Sequence, residues 1–268
     1  MSVVNRNPAN IQTVDVKLHA KLKVLPNLGF VHAKTHNLVS ISLAELGVSI
    51  SNFPHVFIQS PNDKRFILAA MLGLRTGENV YFGEEFWEST HVPLAVQRHP
   101  FVIGYDDRLT DREEITTCVE TDSPFVSQTE GLALYAEDGT ETEFLRNRQQ
   151  LLYTIFESEK LTNRFIQKLQ ELDLLTSLEI ALEQPNGNVV KINNLFTLDE
   201  VKLKNLSAEQ LKALQTEDYL PPCYLILASL YQLNQLIRRH NRQGRDQIVH
   251  FRLEFGNQSS GRDETAGK

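Results

Sequence analysis

Between Glu78 and Phe101 the chain sets carboxylates, an amide, two histidines, an arginine and its single tryptophan into one segment rich in turn residues. Loops held by a rigid sheet are where binding groups collect. In such a setting Trp87 offers a stacking or apolar anchor. Arg98 offers a clamp for a carboxylate or phosphate, and His91 a proton carrier near neutral pH. Glu78, Asn79, Trp87, His91, Arg98, His99 and Phe101 are the candidate ligand-binding residues, with Glu84 and Glu85 beside them. The plainer reading gives the same side chains structural work: Trp87 closes the edge of a core, Arg98 pairs with an acidic neighbour, and the histidines lie at the surface.

Other chemistries find less support. His32 and His36 stand four apart, which would put both rings on one face of a helix, with His91 and Glu84 or Glu85 to complete a set. Yet GFVHAKTHNLV lacks helical periodicity, and none of the eight histidines is followed two residues later by an acid, as a facial triad usually is. No metal site and no cofactor are assigned. Ser40, Ser49 and Ser89 lack a glycine-flanked elbow, and Cys118 and Cys223 lack an activating context, so no catalytic residue is assigned either. The glycines of GLRTGENVYFG sit in strand-like sequence and serve to turn the chain rather than to cradle phosphate. The acidic run from Asp106 to Glu114 has no central glycine for a calcium loop and reads as a solvated loop. Arg238, Arg239, Arg242 and Arg245 crowd the end of the last helix, where the helix dipole favours cations. A docking patch for an acidic partner is the sharper alternative for those four.

The elements that would position these residues follow from periodicity. Alternation from Thr13 to Leu25 predicts one or two short strands ending at Pro26. NLVSISLAELGVSISNFP predicts a strand and then a short helix that Gly47 can end. HVFIQS and RFILAAMLGL, separated by Pro61, Asn62 and Asp63, predict a hairpin at the centre of a sheet. From Thr140 to Leu172 the period becomes helical, with Thr140 and Glu143 as a capping box and a break near Ser158 left open. Asn186 and Gly187 predict a second hairpin. Ser207 and Gln210 predict another capping box, and Pro221 with Pro222 opens an apolar helix running to about His240, its first half buried. IVHFRLEF beyond Gln243 is strand-like, and the polar end after it is expected to be disordered.

At 268 residues the chain can bury a sizeable core without metals or disulfides. Hydrophobic content of 41%, charged content of 23% and a net charge of -7 fit a soluble globular protein and argue against nucleic-acid binding. A protein partner or a small molecule is the expected ligand. The two cysteines, far apart, read as free thiols. No signal peptide is recognisable at the N-terminus, so a cytoplasmic location is expected, with surface association through signal-independent export as the alternative.

An ordered series of phrases carries a family resemblance: the GENVYF turn, the Trp followed by VPL, RHPF with IG, the G-LY-EDG turn and the ASL helix. Over roughly residues 12 to 242 the chain resembles the SapC-like family of bacterial proteins, whose named member is associated with a surface layer. It is not the peptide-uptake permease that shares the name, because PPCYLILASLY falls short of the about 20 apolar residues a membrane helix needs. The resemblance implies a non-catalytic binding or accessory protein linked to the cell surface or surface-layer assembly, with Trp87 to Phe101 as the contact surface. It brings no agreed active-site residues. It also implies gene neighbours such as outer-membrane receptors, flavin halogenases and cupin-like oxygenases. Those suit a rival enzymatic role in which His91, Arg98 and His99 line one pocket with Trp87.

The expected fold is α+β: a mainly antiparallel sheet covered by the long middle helix and the C-terminal helices. One domain is expected over 1–243, with 244–268 as a partly disordered extension.

Overall fold

A computed structural model describes residues 10–26, 29–105, 115–244 and 246–256. The acidic run from Asp106 to Glu114, Arg245 and the polar end beyond Gly256 lie outside them. The first half carries β1 (Ile11–Thr13), α1 (Val16–His19), β2 (Lys23–Val24), β3 (Leu38–Ser40), α2 (Leu43–Ser49), β4 (His55–Gln59) and β5 (Phe66–Met71). Next come α3 (Leu94–Gln97), β6 (Phe101–Tyr105), β7 (Ile115–Glu120), β8 (Val126–Ser127), β9 (Leu132–Ala133) and α4 (Glu143–Glu171). The rest supplies β10 (Leu175–Glu183), β11 (Val189–Leu198), α5 (Glu200–Lys204), α6 (Ala208–Thr216), α7 (Leu220–Ser229), α8 (Leu233–Arg242) and β12 (His250–Phe255).

The main sheet has six strands in the order β12-β10-β11-β4-β5-β3, and every pairing is antiparallel. Both hairpins read from the sequence are in it. β4 and β5 pair from His55 with Ala70 to Gln59 with Phe66. β10 and β11 turn at Gly187, whose φ of 80° is where glycine is at ease, while the Asn186 side chain accepts from the Asn188 amide. Two three-stranded sheets, β1-β7-β6 and β8-β2-β9, stand apart from it. The α+β architecture with a mainly antiparallel sheet is therefore present as expected.

α4 is one unbroken helix of 29 residues, about 43 Å at the usual rise. Its C-terminal half sends Phe165, Ile166 and Leu169 into the core over the main sheet, where α7 and α8 also pack. Its N-terminal half sends Leu145 and Leu152 into a second core with Leu22, Val24, Phe101, Val119 and Leu134. Burying a leucine or phenylalanine contributes about 1.5–3 kcal/mol, so the helix is held at both ends by apolar contact rather than by propensity.

Several boundaries differ from the sequence reading. Between Thr13 and Leu25 the alternation is interrupted by α1, because the Asp15 side chain accepts from the Lys17 amide at 2.7 Å and starts a helical turn. Gly47 lies inside α2 rather than ending it, on a side open enough that a Cβ would touch nothing within 4 Å. The cap of α4 is Thr142, which accepts from the Leu145 amide, while Thr140 turns to the Asp138 carboxylate. The apolar helix opened by Pro221 and Pro222 passes through a 3-10 turn at Leu230–Gln232 before α8, and its first half is not wholly buried, since Tyr224 stays 47% exposed. β12 lies beyond Gln243 and forms the edge of the main sheet against β10.

Candidate functional site

The segment after β5 is built by backbone turns. Gly73 is required where it stands, since a Cβ there would lie 2.3 Å from the Glu78 carbonyl oxygen. This close approach folds Glu78 back, and its Oε2 accepts from the Leu74 amide at 2.7 Å. Its Oε1 accepts from Nδ1 of His240, the 1% exposed histidine of α8, also at 2.7 Å. Burial works against the Glu78 carboxylate, but the His240 and Leu74 hydrogen bonds outweigh it and hold its pKa below the ordinary value. Glu78 is thus a tie between the loop and the last helix.

The other candidates are engaged in similar ways. Asn79, 5% exposed, donates to the Ala33 carbonyl and accepts from the Tyr81 amide. Trp87 donates its indole N–H to the His91 carbonyl at 2.9 Å and meets Phe30 and Phe53 edge-on. His99 lies with its ring centroid 4.2 Å from that of His32, stacked, with Nε2 3.0 Å from the Ser123 hydroxyl and Glu120 nearby. Phe101 is 2% exposed and belongs to the second core. Glu84 and Glu85 are exposed.

His91 and Arg98 converge on a polar junction that the sequence reading missed. Glu45 of α2 is its hub. One carboxylate oxygen accepts from the amide and hydroxyl of Ser42, and the other accepts from the Leu94 amide at 2.6 Å and lies 3.4 Å from His91 Nε2. Beside it is a cavity of about 20 Å³, lined by Ser42, Glu45, Leu94, Arg98, Ile155 and Glu159 among others, with room for about one water. Burial pushes the Glu159 carboxyl above its ordinary pKa; Arg98 opposes the shift and Glu45 adds to it. Of Trp87, His91, Arg98 and His99, Arg98 is the one that lines this cavity. Trp87 turns to its aromatic neighbours and His99 to His32. The Ser42–Glu45 spacing, a capping box, is the signal that could have found the hub.

A second interior link joins α2, β4 and α7. His55 and Ser49 are fully buried, with the Ser49 hydroxyl 2.7 Å from His55 Nε2. The His55 amide donates to Ser229 Oγ at 2.9 Å, and Ser229 donates to the Ile226 carbonyl. Nδ1 makes no well-formed hydrogen bond. Burial, and after it the charge of His91, push the His55 pKa down to about 3 against the pull of the Phe53 carbonyl. The pair resembles a nucleophile and its base in distance alone, because no substrate reaches a serine with no exposed surface.

Of the C-terminal arginines, Arg239 lies over the Tyr81 ring at 4.9 Å and donates to the Glu88 carbonyl, so it holds the loop to α8. Arg238 and Arg242 are exposed on the other side of the helix. His32 is the middle residue of a single 3-10 turn, Val31–Ala33, and His36 falls beyond it, so the two rings meet edge-on at 6.2 Å and not side by side on a helix. Among the described residues no group of three or more His, Cys, Asp or Glu is placed to hold a metal ion. Cys118 and Cys223 are buried free thiols, and burial pushes Cys223 up to about 12.

Taken together, these features define an antiparallel α+β protein in which Glu78, Asn79, Trp87 and Arg239 tie loops and helices to one another. The chain belongs to the SapC family, whose model matches residues 14–236. No curated protein and no solved structure matches it. No helix among the described residues is long and apolar enough to cross a membrane.

Proposed function

We propose that the protein is a non-catalytic binding or accessory protein linked to the bacterial cell surface or to surface-layer assembly. The observation that supports this reading is the use of Glu78, Asn79, Trp87 and His99 as structural ties, each spent on a partner within the chain. A catalytic set keeps at least one such group turned toward a space that a substrate can enter. The contact surface is the outer rim of the Trp87 to Phe101 region together with the adjoining Phe86, which is 61% exposed. Exposed aromatic side chains in a polar surround are typical anchors of protein contacts.

Native mass spectrometry of the protein purified from its own host tests this. A defined protein partner that is retained by the wild type and lost from a Phe86→Ser variant of unchanged melting temperature is the expected result. A stoichiometric small molecule, released on mild denaturation and indifferent to Phe86, would overturn the accessory role in favour of the enzymatic one.

A further inference from the structure

From Tyr219 onward α7, the 3-10 turn and α8 run as one helical rod, and its two sides are patterned differently. The inner side buries Cys223, Ile226, Leu230 and Leu233 at spacings of three and four and ends on Ile237 and His240. The outer side carries its own series at spacings of four and three, through Tyr224, Ala228, Tyr231, Gln235, Arg238 and Arg242, and all six are exposed. A helix that only covers a core needs one apolar stripe and a polar opposite face. Here the first half of the opposite face is aromatic and apolar, with Tyr231 67% exposed, and the second half is basic. Arg238 and Arg242 make no ion pair with any described residue, in contrast to Arg239 on Glu88. The spacing is that of a helix–helix seam.

We propose that this outer face pairs with the same face of a second copy, antiparallel across a two-fold axis at Tyr231. Tyr224 and Arg238 stand equally far from Tyr231 in opposite directions. Reversing one copy therefore sets Tyr224 against the second copy's Arg238 and Tyr231 against itself, with Ala228, three residues before the axis, facing Asn234, three residues after it. Each guanidinium then faces a tyrosine ring, an attractive arrangement that the chain already uses between Arg239 and Tyr81. A parallel pairing would set arginine on arginine. An acidic helix would satisfy the basic half and leave the tyrosines in water, whereas the reversed copy satisfies both halves with one contact, as a self-complementary two-fold interface requires. From Tyr224 to Arg238 the seam is about 21 Å long, with Arg242 just beyond it at each end. This pairing is independent of the accessory role and can hold if that role fails.

Sedimentation equilibrium of the full chain over a concentration series tests it, with melting temperatures to confirm that each variant folds. The wild type should approach twice the chain mass. Tyr224→Arg, which sets arginine on Arg238, should weaken association by about tenfold or more, and the exchanged double variant Tyr224→Arg with Arg238→Tyr should restore it. Tyr231→Cys should cross-link to itself on mild oxidation, with Cys118 and Cys223 buried and giving no background. A single-chain mass at every concentration would overturn the proposal. So would a dimer that Tyr224→Arg leaves intact, or one in which Tyr231→Cys fails to cross-link.

Discussion

His55 shows how far a single residue can move from its ordinary behaviour when the fold encloses it. Its pKa is pushed from 6.5 down to about 3, first by burial and then by His91, so the folded chain keeps it neutral where the unfolded chain would charge it. Below pH 6.5 the unfolded state binds a proton that the native state refuses, and stability falls as the pH falls toward 3. The contribution is complete above the unfolded value. Within that window the group should add a slope approaching about 1.4 kcal/mol per pH unit. Urea unfolding at a series of pH values should show this slope in the wild type and its loss in His55→Gln, whatever the variant's stability at neutral pH; equal slopes would refute it. At this scale the sequence was legible only in part. The residue types around Trp87 were visible, but whether a histidine faces solvent, a second histidine or a buried serine depends on elements far apart in the chain. Ser229 reaches the His55 amide from α7, and His240 reaches Glu78 from α8, and no local pattern carries either contact.

The elements were more legible, because periodicity is a property of neighbours. The β4–β5 and β10–β11 hairpins, the capping box at Ser207 and the long α4 all follow from short-range spacing, and all are present. Apart from α1 and the 3-10 turn before α8, the misses were at ends, where one hydrogen bond decides. Two threonines two residues apart could each cap α4. Thr142 does, since its hydroxyl oxygen accepts from the Leu145 amide while its proton goes to the Ala133 carbonyl; Thr140 is held by Asp138 in the preceding turn. Thr142→Ala should therefore cost about 1–2 kcal/mol in chemical denaturation, and Thr140→Ala clearly less. The reverse order would move the start of the helix back to where the sequence reading put it.

Across the whole molecule, stability depends on how the last described strand, β12, meets the main sheet. β10 is enclosed by β11 on one side and β12 on the other, so the strand that begins after α4 is completed by residues close to the end of the described chain. Before β12 begins, Ile248 is 5% exposed in the main core, and its amide and carbonyl are both held by the Asn241 side chain at 2.9 Å. That clamp fixes the turn between α8 and β12 and so the register from Glu183 with His250 to Leu178 with Phe255. Sequence similarity to the family ends at residue 236, before this strand, which shows that matching residues and a finished sheet are separate requirements. A chain ended at Gln243 would keep the whole of the family match yet leave one edge of β10 unpaired and the Ile248 site empty, opening an aggregation-prone edge. Ile248→Ala in the full chain should lower stability by about 2–5 kcal/mol, and the shortened chain should lose more than that or fail to refold. If the shortened chain instead unfolded with the wild-type midpoint and the same denaturant dependence, β12 would be an ornament on a sheet complete without it, and the main core would have to be redrawn to end at α8.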